Sequence, residues 1–264
     1  MNELCLNLFQ YSPMLGTEGV PLDRSLAAAR DAGFDLVGLD VFTLDASGLE
    51  PGQVCAMLDE HAVRCFEMLG LVVNASEEES LESAQRAARW VGATGADWVL
   101  TVVDSPADGA LVDRFARCAD LVRAAGGRLA LEFLPYMAVS TIAEARRVCD
   151  AVGPERAGVL VDSWHVFRGT DTLAAVAAMP AAAIAYVQFD DALPLVGALS
   201  DEVMSRRVWP GAGEFPLADF AEAVRATGYT GPVSVEVLNA EWREAGLDVA
   251  EFARQARRTN SPYW

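Results

Sequence analysis

Lysine is absent from the 264 residues, and all 20 basic side chains are arginine. A Schiff base to a carbonyl substrate, a pyridoxal enzyme and a P-loop phosphate site each need that amine. Those mechanisms are excluded. Histidine is scarce: only His61 and His165 occur, which excludes a histidine-rich multi-zinc centre. The five cysteines (Cys5, Cys55, Cys65, Cys118, Cys149) are odd in number and scattered, with no CxxC pair. Neither a disulfide framework nor a thiolate zinc site is expected, and a reducing cytoplasm is the expected compartment. Apolar runs stop at about ten residues, too short to cross a bilayer, and the N-terminal MNELCLNLFQ has no basic region to act as a secretory signal. A net charge of −18 speaks against nucleic acid, whose phosphates need a basic face, and reads as solubility. No linker, low-complexity run or charge block divides the chain, so one domain over residues 1–264 is expected.

What is present is a regular alternation. Strand-like runs fall at Leu4–Phe9, Leu36–Val41, Val63–Leu69, Trp98–Val103, Arg128–Leu134, Gly158–Asp162, Ile184–Phe189 and Val233–Leu238. Most begin about 30 residues after the one before, the length of one strand-loop-helix unit. The last interval is longer and holds an extra loop. Between them, Asp23–Ala32, Glu78–Val91, Ala110–Ala124, Ile142–Ala151 and Leu217–Thr227 carry apolar residues at helical spacing, several ending on a glycine. Eight such units, a hydrophobic fraction of 52% and a length near the roughly 250 residues usual for the fold predict a single α/β domain. The fold expected is a (β/α)8 TIM barrel.

Four strands of the second half each deliver one polar residue out of an apolar run: Glu132 in LALEFLP, Asp162 in GVLVDSWH, Gln188 in AYVQFDD and Glu236 in VSVEVLN. A buried acid is costly without a partner, and four in order predict one shared partner. At the C-terminal end of a parallel barrel these residues converge. Three carboxylates and an amide oxygen are hard ligands that suit Mg2+ or Mn2+, with Co2+ or Zn2+ as further candidates. The net charge, about −1 with a divalent ion bound, leaves room for a neutral substrate. Glu132 and Glu236 flanking that substrate would form an acid/base pair beside a polarised carbonyl, the enediolate chemistry of isomerisation, epimerisation and dehydration. His165, three residues after Asp162, is the candidate to bind substrate or move protons, whereas His61 belongs to the opposite end of the barrel. Arg206 or Arg207 is placed to clamp a carboxylate or hydroxyl, and Trp164, Trp209 and Trp242 to wall the pocket. Glu67 and Asn74 are further pocket candidates. Asp190 and Asp191 are candidates to orient Gln188.

These residues resemble the sugar phosphate isomerase/epimerase family of xylose-isomerase-like barrels, most densely from Leu129 to Asn239. The resemblance implies metal ligation by Glu132, Asp162 and Glu236. It matches the family's Asp-x-x-His as Asp162-Ser-Trp-His165 and its PGxGE turn as Pro210–Glu214, preceded by Arg207 as a residue that contacts substrate or the metal site. Ketose epimerases of this kind have histidine on strand seven, within HxKD; here Val187-Gln188-Phe189-Asp190 stands instead. A glutamine there, with DSxH and VEVLN, is similar to 3-dehydroshikimate dehydratases. The leading expectation is therefore a divalent-metal-dependent isomerase or epimerase of a ketose or keto-cyclitol. A dehydratase of 3-dehydroshikimate or inosose type is the first alternative, and a non-catalytic ligand-binding barrel the second. An apurinic endonuclease shares the fold only, and the charge opposes it. The expected partner is a small carbohydrate or cyclic keto-acid, with no nucleic acid or membrane; a homo-oligomer is compatible with the apolar C-terminal tail.

Overall fold

A computed structural model describes residues 2–106 and 108–264. Eight parallel strands close into a barrel: β1 (Leu4–Asn7), β2 (Leu36–Asp40), β3 (Arg64–Asn74), β4 (Trp98–Asp104), β5 (Arg128–Glu132), β6 (Ala157–Asp162), β7 (Ile184–Gln188) and β8 (Val233–Val235). Leu4 of β1 lies beside Val233 of β8, and that pairing completes the ring. Among the described residues no helix is long and apolar enough to cross a membrane.

The pleat sorts every strand into two faces. Leu129, Leu131, Val159, Val161, Val187, Val233 and Val235 pack outward against the helices. Cys5, Leu36, Ala130, Leu160 and Tyr186 fill the barrel interior. Two residues further along each strand, the same inward face presents Asn7, Gly38, Glu132, Asp162 and Gln188. The interior is thus apolar in one layer and polar in the next. Polarity is concentrated at the end of the barrel where the strands stop, with Glu67 of β3 and Ser234 of β8 as further buried polar residues.

Every strand end but that of β6 differs from the sequence expectation by one residue or more, and three of the differences have a visible cause. β1 stops at Asn7 because its Oδ1 accepts the Phe9 N–H at 2.9 Å and turns the chain into a short 3-10 segment. β8 leaves the ladder after Val235, and Leu238 instead accepts the N–H of Arg207 at 3.0 Å. β3 runs on to Asn74 through Gly70, whose φ of +113° admits a bend that side chains resist. Short helices at Val41–Ala46, Pro51–Glu60, Ser163–Arg168 and Leu173–Ala177 and a C-terminal helix at Val249–Asn260 add to those read from periodicity.

The long connection after β7 folds back as a two-residue ribbon, Asp191–Ala192 against Arg207–Val208, and then enters Pro210–Glu214. That turn wraps around Asp191. The carboxylate accepts the N–H groups of Gly211, Gly213 and Phe215, each at 3.0 Å. A methyl group on Gly213 would collide with the Ala192 carbonyl oxygen and with Asp191 itself. Gly213→Ala is expected to destabilise by about 2–3 kcal/mol, lowering the thermal midpoint by about 4–10 °C in a melting experiment.

Candidate metal and catalytic site

Glu132, Asp162 and Gln188 are the last residues of β5, β6 and β7, and Glu236 follows β8 directly. All four are buried, Asp162 and Gln188 completely. His165 sits one helical turn after Asp162, in Ser163–Arg168, and comes back over the barrel. Its Nε2 is 2.9 Å from Glu132 Oε1 and 3.6 Å from Asp162 Oδ2. Donor atoms of Glu132, Asp162 and His165 all lie within 4.8 Å of one another, close enough to share one cation. The other oxygen of Asp162 accepts the Trp164 N–H at 2.6 Å, which caps that helix and fixes the carboxylate.

Arg207 is the counter-charge. Its Nη1 donates to Asp162 Oδ2 at 2.9 Å and to Asp190 Oδ2, and lies 3.2 Å from Glu236 Oε2. Its Nε donates to the Val203 carbonyl at 2.9 Å. The Trp164 ring covers the guanidinium at 5.7 Å. Burial alone would weaken the arginine's hold on its proton, but Asp162, Asp190 and Glu236 push its pKa well above the usual value. Among its partners the effects split. Burial raises Asp162, yet Arg207 and His165 outweigh it and leave that carboxyl below the ordinary range. Asp190 and Glu236 are raised by burial more than Arg207 lowers them. One guanidinium does not balance this many acids.

Gln188 supplies the fit test for a cation. Both its Oε1 and its Nε2 are buried without a hydrogen-bond partner. An unsatisfied buried amide costs about 1–3 kcal/mol, so the position is explained by something the amide oxygen is kept for. With Asp162 as its neighbour on the next strand, Gln188 joins Glu132, Asp162 and Glu236 in a hard, anionic donor set that suits a divalent ion.

The structure does not gather every expected residue here. Arg207 is committed to carboxylates and to Trp164, not to an open pocket where a substrate clamp was expected. Trp164 is buried behind it. Glu67 lies inside the barrel, wholly buried, and not at the rim. Asn74 accepts the Ser76 N–H at 2.8 Å and donates to Glu79 at 2.5 Å, and so shapes the end of β3. Trp209 and Trp242 stack on each other at 4.6 Å instead of walling a pocket. Arg206 pairs with Glu202 at 3.3 Å. Asp190 and Asp191 hold Arg207 and the Pro210–Glu214 turn, and neither touches Gln188 in the hydrogen-bond network. His61 pairs with Asp23 at 2.8 Å, away from the site as expected.

Two participants went unread in the sequence. Asn7 ends β1 in the same way that Glu132 ends β5, a polar residue closing an apolar run, so the signal was there. Tyr136, just beyond β5, has its phenol pushed up to about 12 by burial and then by Glu132, and remains a proton donor at neutral pH.

A family model described as xylose isomerase-like TIM barrel matches residues 26–257. The chain belongs to that family. Within it, the chain is 29% identical over 236 residues to a 3-dehydroshikimate dehydratase of Pseudomonas aeruginosa, covering 85% of this chain and 37% of that protein. It is 28% identical over 151 residues to an inosose isomerase of Bacillus subtilis, covering 56% of this chain and 52% of the relative. The chain therefore spans about a third to a half of the length of these curated relatives. Both are enzymes by name. In three dimensions the xylose isomerase-like barrel superposes on an IolI protein bound to a zinc atom with a TM-score of 0.86, at 20% identity over 99% of this chain and 97% of that one. A D-allulose 3-epimerase from Methylomonas sp. in complex with D-allulose gives a TM-score of 0.76 at 17% identity, over 100% and 97%. At those identities the likeness is one of fold.

Proposed function

We propose that this chain is a divalent-metal-dependent isomerase or epimerase that acts on a ketose or keto-cyclitol by moving a proton at the carbon beside a carbonyl. The observation that carries the reading is the convergence of Glu132, Asp162 and His165 at one buried barrel end, with Glu236 tied to Asp162 through Arg207, and a Gln188 oxygen left without a partner among the described residues. Glu132, Asp162, Gln188 and Glu236 would hold the ion. Bound there, it supplies Lewis-acid polarisation of the substrate carbonyl.

The proton work belongs to the chain. Glu132 and Glu236 rise from strands separated by β6 and β7, and so approach a substrate from different sides of the ring. One takes the proton from carbon and the other returns it to the opposite face or to the neighbouring carbon. Burial raises Glu236 above the ordinary carboxyl range, which brings it nearer to the working pH of a general acid or base. His165, held against Glu132 at 2.9 Å, orients that carboxylate and can exchange a proton with it. The barrel interior below, filled by Leu160, Ala130 and Tyr186, keeps bulk water from the reacting carbon.

A dehydratase of the 3-dehydroshikimate or inosose type is the second reading, favoured by Gln188 and by the long match to the Pseudomonas aeruginosa relative. Elimination of water starts with the same proton abstraction, so one experiment tests both. Protein loaded with Mg2+, Mn2+ or Co2+ is incubated in deuterated water with ketoses, inososes and 3-dehydroshikimate, and followed by proton NMR. Deuterium uptake beside a carbonyl is expected, and the product separates epimer from dehydrated ring. No bound metal and no uptake with any of these substrates would leave a ligand-binding barrel.

A further inference from the structure

Glu67 is a fully buried carboxylate for which the chemistry above has no use, yet the barrel has a place built for it. On β2, Gly38 presents no side chain, and a Cβ there would lie 2.8 Å from Glu67 Cγ and collide with Oε1. Glu67 Oε1 accepts from the Ser234 hydroxyl and, at 3.0 Å, from Asn7 Nδ2. The same Nδ2 donates its second hydrogen to Glu236 Oε1 at 3.1 Å. Asn7 Oδ1 accepts the Phe9 N–H at 2.9 Å, so the orientation of the amide is determined and none of its groups is spare. One amide thus joins two carboxylates, the inner one anchored by β2 and β8 and the outer one facing the site.

We propose that Asn7 and Glu67 are positioning residues for Glu236, forming a brace that holds its carboxylate turned toward the cation and the substrate. This rests on the proposed metal site. Among the described residues Glu236 has two fixed points, Asn7 on Oε1 and Arg207 beside Oε2. Arg207 alone ties the carboxylate to the side of Asp162 and Asp190. Asn7 pulls from β1 on the other side, and Glu67 keeps Asn7 in place by taking its other hydrogen. A carboxylate held at both oxygens loses little freedom on binding a metal; one held at a single oxygen must be ordered at that moment.

The test measures Mn2+ binding by titration calorimetry on protein stripped of metal, alongside thermal unfolding of the stripped form. Asn7→Leu and Glu67→Met are expected to weaken Mn2+ binding about 10- to 100-fold, the range for losing a group that orients a ligand. Asn7→Leu strands Glu67, Glu236 and the Phe9 N–H and should lower the metal-free midpoint, whereas Glu67→Met removes the buried acid itself and should stay nearer the parent. Glu67→Gln keeps an oxygen for Asn7 and should hold affinity within about threefold of the parent. A purely structural role predicts another pattern, in which affinity falls only as stability falls. Unchanged Mn2+ affinity in Asn7→Leu and Glu67→Met, with normal binding by the parent, overturns the brace alone. A parent protein that takes up no Mn2+ overturns the brace together with the metal site. If Asn7→Leu fails to fold, the pair Glu67→Gln and Glu67→Met decides.

Discussion

Glu132→Gln and Glu236→Gln each lose turnover by about a thousandfold or more, the upper part of the range for removing a general acid or base. Each substitution keeps the shape of the side chain and an oxygen to accept the hydrogen bond now made by His165 or Asn7. What it removes is the ability to take and return a proton. The fold does not depend on that ability. Burial already disfavours the ionised form of Glu236, so a neutral amide at that position should leave the midpoint of the metal-free protein within about 3 °C of the parent. Steady-state kinetics with the substrate identified by deuterium exchange, and a melting curve beside it, check both halves. Full activity in either variant would end the assignment of that residue to proton transfer.

Arg207→Met produces the largest loss of stability. Removing one member of a buried charge cluster strands the rest, typically at about 3–5 kcal/mol, and here Asp162, Asp190 and Glu236 lose their cation together. The effect depends on pH in a defined direction. In the parent, Arg207 and His165 hold Asp162 below the ordinary carboxyl range, so its ionisation adds stability above the unfolded pKa and loses it as pH falls through the folded one. Without the guanidinium the lowering influence on all three acids is lost, and each moves up from where it stands in the parent. Raised acids add stability below the unfolded pKa and lose it as pH climbs through the folded value. The gap between parent and variant should therefore be small near pH 5 and widen toward pH 8 in chemical denaturation. A gap independent of pH would show that Arg207 acts through its packing against Trp164 and not through its charge.

The barrel and the four polar residues at its strand ends were legible because both depend on local pattern. An apolar strand that ends in a carboxylate looks the same in sequence and in space, and Glu132, Asp162, Gln188 and Glu236 are buried where the strands stop. The role of Arg207 was not legible. Its partners come from β6, β8 and the segment after β7, and only closure of the ring sets a loop arginine among them. Loop tryptophans misled for the same reason: Trp209 and Trp242 stand more than 30 positions apart in sequence and are stacked in the fold. Glu67 read as a pocket residue because an acid in an apolar strand signals function. A sequence does not show that a glycine on the neighbouring strand has hollowed out a place for it inside the barrel.

Gly38 and Glu67 also constrain each other's replacement. The cavity exists because one strand gives up its side chain, and the carboxylate occupies that volume. A lineage that gains a methyl group at position 38 must shorten or remove the acid at position 67, and one that loses the acid opens a void beside Asn7 that a larger residue at position 38 would close. Neither change is neutral by itself, so the two positions are expected to be inherited as a pair, and reconstructed ancestors of this barrel should show them switching together.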